Sequence, residues 1–218
     1  MRCQNSLLRF WRPARVTSFF RRFCQWPRKS PTLSPQGIAS PVSKATGSRV
    51  ELTNPAVNGF TTLDLIAKEL SHLERVKPDV VTVLIGVNDL VQNRSVDEYR
   101  TSLREIYDRI GALGLPPGRV AAISIPNWSV VPAAAQYGEP QLIKSVTNGF
   151  NVAARKEALD LGFDWVDITG VSTYSLGSPG WIASDQLHPG DAQYAAWAEV
   201  IWDRVRDAWA RASRPLSV

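Results

Sequence analysis

From Val50 onwards the apolar residues follow two alternating rhythms, and before Val50 they follow neither. Short strand-like segments at 50–52, 80–85, 120–125 and 163–168 alternate with stretches whose apolar residues recur every three or four positions. The first spacing belongs to buried strands and the second to amphipathic helices. Their alternation predicts an α/β domain built on a parallel sheet. Val80-Val-Thr-Val-Leu-Ile85 is almost wholly apolar, as expected of a strand covered by helices on both faces.

The helices have legible ends. Thr61 or Thr62 is placed to cap a helix over 62–75 whose apolar face is Leu63, Ile66, Leu70 and Leu73, with Pro78 stopping it. Ser95-Val-Asp-Glu98 is a capping box opening a helix that buries Val96, Tyr99, Leu103, Ile106 and Ile110. After an irregular stretch from Pro126 to Pro140, a third helix carries Leu142, Ile143, Val146, Phe150 and Ala154. Asp191 or a neighbour starts the last, which presents Ala195, Ala198, Ile201, Val205 and Trp209. No apolar run approaches the roughly 18 to 20 residues that span a bilayer, so no membrane span is expected.

Charge separates the chain into unequal parts. All 20 Asp and Glu lie at or beyond Glu51, while residues 1–49 hold ten of the 25 Lys and Arg. A basic arm thus precedes an acidic body, and the sequence pI of about 9.5 reflects the arm. The expected division is an arm at 1–49, a folded domain at 50–212 and a tail at 213–218. Pro13, Pro27, Pro31, Pro35 and Pro41 break any long helix in the arm, which reads as poorly ordered. It has the composition of an organellar transit peptide, of a binding arm, or of translated sequence foreign to the domain. Lacking an apolar signal core, it suggests a cytoplasmic location.

Both cysteines, Cys3 and Cys24, lie in the arm, and the body holds only His72 and His188. No metal site is expected from so few ligands. His72 falls off its helix's apolar stripe and reads as a surface residue. Trp197, Trp202 and Trp209 read as packing or interface residues. No cofactor and no nucleic-acid partner is expected of the body.

Ligands of open parallel sheets lie beyond the carboxyl ends of the strands, so the polar residues of those loops carry the candidate chemistry. Asn88 and Asp89 follow the strand at 80–85; Asp185 and His188 follow the last strand by way of a long loop. An imidazole changes charge near neutral pH, and Asp185 is spaced to hold its second ring nitrogen. The plainer alternative is a solvated pair in a helix-capping turn. Asn88 is placed to donate its amide to an oxyanion, or simply to bond its own turn. Gly59, in Asn54-Pro-Ala-Val-Asn-Gly59, offers a backbone N–H or merely a turn.

Taken together, Asn58-Gly59, Gly86-Val-Asn-Asp89 and Asp185-Gln-Leu-His188-Pro resemble blocks II, III and V of the SGNH or GDSL family of serine esterases, in that order. Ala121 to Pro126 and the helix end at Asn151 to Gly162 look like that family as well. The resemblance spans about three quarters of the chain. It implies a flavodoxin-like, three-layer α/β/α fold that hydrolyses small acyl or acetyl esters without a cofactor. By motif His188 is then the base, Asp185 its orienting partner, and Gly59 with Asn88 the oxyanion donors.

One block does not match. The family's first block is a strand ending in Gly-Asp-Ser, and that tripeptide occurs nowhere in this sequence. Ser30 and Ser34 sit among prolines, and Ser48 is only eleven residues before Gly59, so the nucleophile stays unknown. That strand should lie centrally, between those near Val50 and Val80. It is therefore expected to be absent or substituted, with Val16 to Phe23 the segment nearest to a replacement. A chain without the nucleophile would be a non-catalytic remnant or a binding protein.

Overall fold

The computed structural model describes residues 14–19, 36–47 and 49–211. In chain order its elements are β1 (Ala14–Phe19), α1 (Gln36–Thr46), β2 (Val50–Thr53), α2 (Thr62–Lys68), α3 (Leu70–Val76), β3 (Val80–Val83), α4 (Val87–Val91) and α5 (Val96–Gly111). β4 (Val120–Ile123), a 3₁₀ turn (Pro132–Gln136), α6 (Pro140–Asp160), β5 (Asp164–Val166), α7 (Thr169–Ser172) and α8 (Asp191–Trp209) complete the chain. The five strands form one parallel sheet in the order β2-β1-β3-β4-β5.

The strand period of two divides each central strand between two cores. Val81, Val83, Val120 and Ala122 face one, with Leu65, Leu73, Leu103, Ile106 and Phe150 from α2, α3, α5 and α6. Val80, Ala121 and Ile123 face the other, with Val42 from α1 and Trp197, Ile201, Val205 and Trp209 from α8. This is the three-layer α/β/α fold expected, and it explains why β3 and β4 contain no exposed position.

The N-terminal arm departs from expectation. β1 fills the gap foreseen in the sheet, pairing Ala14 with Val50 on one side and Val16 with Val80 on the other. The replacement segment, anticipated at Val16 to Phe23, thus begins two residues earlier. Its start is tied down by Arg15, whose backbone N–H donates to Asp79 Oδ2 at 2.6 Å and whose guanidinium donates to the Val76 carbonyl at 2.7 Å. α1 belongs to the folded unit as well, because its Val42 is fully buried against α8 and the sheet. The folded unit therefore begins before residue 50. Ala-Arg-Val-Thr-Ser-Phe suffices for a strand once neighbours on both sides supply the hydrogen bonds, a condition no local pattern displays.

Three helical details also differ. The helix expected over 62–75 is two, α2 and α3, joined at Glu69, whose buried carboxylate accepts the Val57 N–H at 3.2 Å. Leu63 and Leu142, expected on buried faces, are more than half exposed. In α6 the buried face instead runs through Ile143, Thr147, Phe150, Asn151, Ala154 and Ala158.

Candidate functional site

β3 runs into Leu84-Ile85-Gly86, and Gly86 turns the chain into α4 with a φ of 126°. Only glycine fits there: a Cβ would stand 2.6 Å from the Tyr99 ring, which is itself locked by its hydroxyl donating to the Ile85 carbonyl and by stacking on Phe150. This turn delivers Asn88 to the carboxyl edge of the sheet. Its side-chain amide donates one hydrogen to the Phe60 carbonyl at 3.0 Å, which fixes the amide plane and leaves its second hydrogen for another acceptor.

The neighbouring Asp89 is completely buried and holds α4 in place. Its carboxylate accepts from the Thr62 N–H at 2.9 Å, the Thr62 hydroxyl at 2.5 Å and the Arg94 guanidinium at 2.7 Å. Arg94 also donates to Thr62 Oγ1 and Ser102 Oγ. The sequence singled out Asp89 as a polar loop residue and as the end of the Gly86-Val-Asn-Asp89 segment, without a role of its own. Its one further signal was an arginine five residues on.

At the other side of the edge, the loop before α8 places Asp185 and His188 together. One Asp185 oxygen accepts the backbone N–H groups of Leu187 and His188, each at 3.0 Å, while the other bonds His188 Nδ1. Burial disfavours the charged Asp185 carboxylate, yet those two amides and the imidazole outweigh it and hold the group below the ordinary carboxylate range. His188 is 6% exposed.

A carboxylate depressed on folding adds stability above its unfolded pKa and loses it as pH falls through the folded value. The stability advantage of the native chain over Asp185→Asn should therefore be full at neutral pH and vanish in acid, below the ordinary carboxylate range. Urea unfolding of both forms across that window checks the sign; an advantage that grew in acid would contradict it.

Asn88 and His188 line one cleft of about 690 Å³, counted out to its open mouth. Leu84, Ile85, Trp128, Val131, Tyr194 and Trp197 make most of the remaining wall, with Asn127 and Gln193 as further polar groups. The cleft lies where the two cores meet, since Trp128 belongs to one and Trp197 to the other. Trp197 and Trp209 are packing residues as the sequence suggested, but Trp197 also faces the site. The wall residues on the 126–132 loop and α8 were missed because nothing local distinguishes a lining tryptophan from a core one.

Of the predicted residues, the structure brings together His188, Asp185 and Asn88. Gly59 is an exposed turn residue outside the cleft lining, linked to it through the adjacent Phe60 carbonyl that receives the Asn88 amide. Ser30, Ser34, Ser48, Cys3 and Cys24 lie outside the described residues. His72 is half-buried on α3 and accepts from the Arg75 guanidinium at 3.2 Å. Among the described residues no group of three or more His, Cys, Asp or Glu is arranged to hold a metal ion, and no helix is long and apolar enough to cross a membrane.

A family model described as GDSL-like Lipase/Acylhydrolase matches residues 25–196, reaching into the basic arm. No curated protein matches the chain. Among solved structures, a protein described as a GDSL-like lipase from Parabacteroides merdae superposes with a TM-score of 0.70 at 16% identity, covering 88% of this chain and 94% of its own. An acetylxylan esterase from Geobacillus stearothermophilus gives 0.68 at 16% identity over 90% and 95%. A lipase/acylhydrolase from Enterococcus faecalis gives 0.67 at 20% identity over 94% and 100%. At these identities the structures share the fold.

Proposed function

The chain belongs to the GDSL-like lipase/acylhydrolase family, and on that premise we propose that it hydrolyses small acyl or acetyl esters by acyl transfer at the cleft beside His188. The observation that carries this reading is His188, bonded to Asp185, lining the same cleft as an Asn88 amide with a hydrogen to spare. His188 takes the proton of an attacking hydroxyl through Nε2 while Asp185 holds its Nδ1–H. The carbonyl oxygen becomes an oxyanion that accepts from Asn88 and from the Gly59 N–H, the latter assigned by motif and by its place beside Phe60. The proton then passes to the leaving alcohol, and water repeats the sequence to release the acid.

A second reading, an ester-binding protein without catalysis, is favoured by one observation: Gly-Asp-Ser is absent from the sequence. Fluorophosphonate treatment of the folded chain, with peptide mass spectrometry of the product, separates the two. Stoichiometric labelling of a single serine, together with hydrolysis of p-nitrophenyl acetate, is the expected outcome and identifies the nucleophile. If nothing is labelled and nothing is hydrolysed, the enzyme reading falls and the cleft is a binding site.

A further inference from the structure

The loop that carries Asp185 and His188 is bound to the chain just before it by a set of backbone hydrogen bonds. The Ala183 N–H donates to the His188 carbonyl and the Gly190 N–H to the Trp181 carbonyl, both at 2.8 Å, while the Ala192 N–H donates to the Gly180 carbonyl at 3.0 Å. Ile182 and Pro189 form an antiparallel bridge between these bonds. Gln186, at the loop's tip, adopts a left-handed φ of 60° and its carbonyl accepts the Ala133 N–H at 3.0 Å. The bracing segment is itself fixed: Trp181 is buried, and its indole N–H shares the Ser172 carbonyl with the Gln193 amide.

Gly190 is the point of closest approach. Its φ of −86° suits any residue, so conformation does not demand glycine there. Space does. A Cβ would stand 2.7 Å from the Gly180 carbonyl carbon, nearer still to its oxygen, and 3.1 Å from the Trp181 carbonyl carbon. These are backbone atoms that cannot swing aside, so a methyl group must drive the two segments apart by about 1 Å. His188 is two residues away.

We propose that Gly190 is a positioning residue, whose missing side chain lets the 180–183 backbone clamp the loop and so sets the His188–Asp185 bond. The inference rests on the proposed hydrolase reading for its kinetic consequence but not for its structural one. Displacement of a catalytic group by about 1 Å costs on the order of 10²-fold in rate. Gly190→Ala should lower kcat towards p-nitrophenyl acetate by that order while changing KM only a few-fold, because Leu84 to Asn88 and Pro126 to Trp128 form cleft wall on other elements.

The bond itself has a direct readout, a far-downfield proton resonance from His188 Nδ1 held against Asp185, which His188→Ala assigns. In the native chain it should be present, and in Gly190→Ala lost or moved upfield while circular dichroism stays unchanged. Gly170→Ala is the control, since a Cβ there meets open space, and it should leave resonance and rate intact. If Gly190→Ala fails to fold, Trp181→Phe takes its place: it keeps an aromatic ring, though a smaller one, but removes the indole bond to Ser172, and should broaden the same resonance. An unchanged resonance in the folded variant tested, or none in the native chain, overturns the proposal. A native resonance that Gly190→Ala abolishes, in a chain that hydrolyses no ester, supports the clamp and sinks the hydrolase reading alone.

Discussion

His188→Ala is expected to lower ester hydrolysis by about 10⁴ to 10⁶-fold, the range seen when one member of a triad acting as a unit is removed. The loss should fall on kcat, because the imidazole moves a proton in the transition state, whereas apolar wall residues such as Leu84, Ile85 and Val131 make uniform contacts with bound ester. His188→Ala should still fold. The main-chain bonds that hold its loop, including the His188 carbonyl to Ala183, do not need the ring. Initial rates with p-nitrophenyl acetate, alongside circular dichroism of both forms, make the check. A folded variant within tenfold of the native rate would remove His188 from the mechanism.

Arg94→Ala carries the largest expected effect on stability. Asp89 is fully buried, and Arg94 is the cation that meets it, at 2.7 Å. Without the guanidinium, that carboxylate keeps only the Thr62 N–H and hydroxyl as donors among its described bonds. Leaving a buried charge uncompensated costs about 3 to 5 kcal/mol, a large part of the roughly 5 to 15 kcal/mol that holds a domain folded. Replacing both partners together, as Asp89→Leu with Arg94→Met, removes the charge as well as its counter-ion and should recover much of the loss. Urea unfolding of the three forms tests this. A cost below about 1 kcal/mol for Arg94→Ala would mean that water reaches Asp89. Function should follow stability here, because α4 bears Asn88 next to Asp89 and a shifted α4 loses the Phe60 contact.

The two central strands that the sequence made plain, β3 and β4, are those whose residues are apolar on both faces, so that their burial is written in composition. The helix α5 was equally plain, since its capping box and its apolar stripe agree; the observed N-cap is Ser95 with Glu98, and Tyr99, Leu103, Ile106 and Ile110 are buried. β1 was not plain. Ala-Arg-Val-Thr-Ser-Phe has weak alternation, and it becomes a central strand because β2 and β3 leave two rows of backbone groups that it satisfies. Its neighbours' unmet hydrogen bonds lie 36 and 64 positions away in the chain.

The chemistry of the candidate site divides in the same way. Asp185 and His188 are three residues apart, so their pairing needs only a local turn; the sequence by itself determined that spacing and the order of the family's blocks, and the fold decided for the bonded pair over a solvated one. The cleft was decided by the tertiary structure alone. Asn88, Trp128, His188 and Trp197 come from four separate segments, and they converge because the parallel sheet delivers the chain leaving each strand to its carboxyl edge. The clamp on Gly190 and the buried Asp89–Arg94 pair were likewise invisible. A glycine's need for space, or a carboxylate's need for a cation, depends on which atoms distant chain brings within about 3 Å, and residue order does not state that.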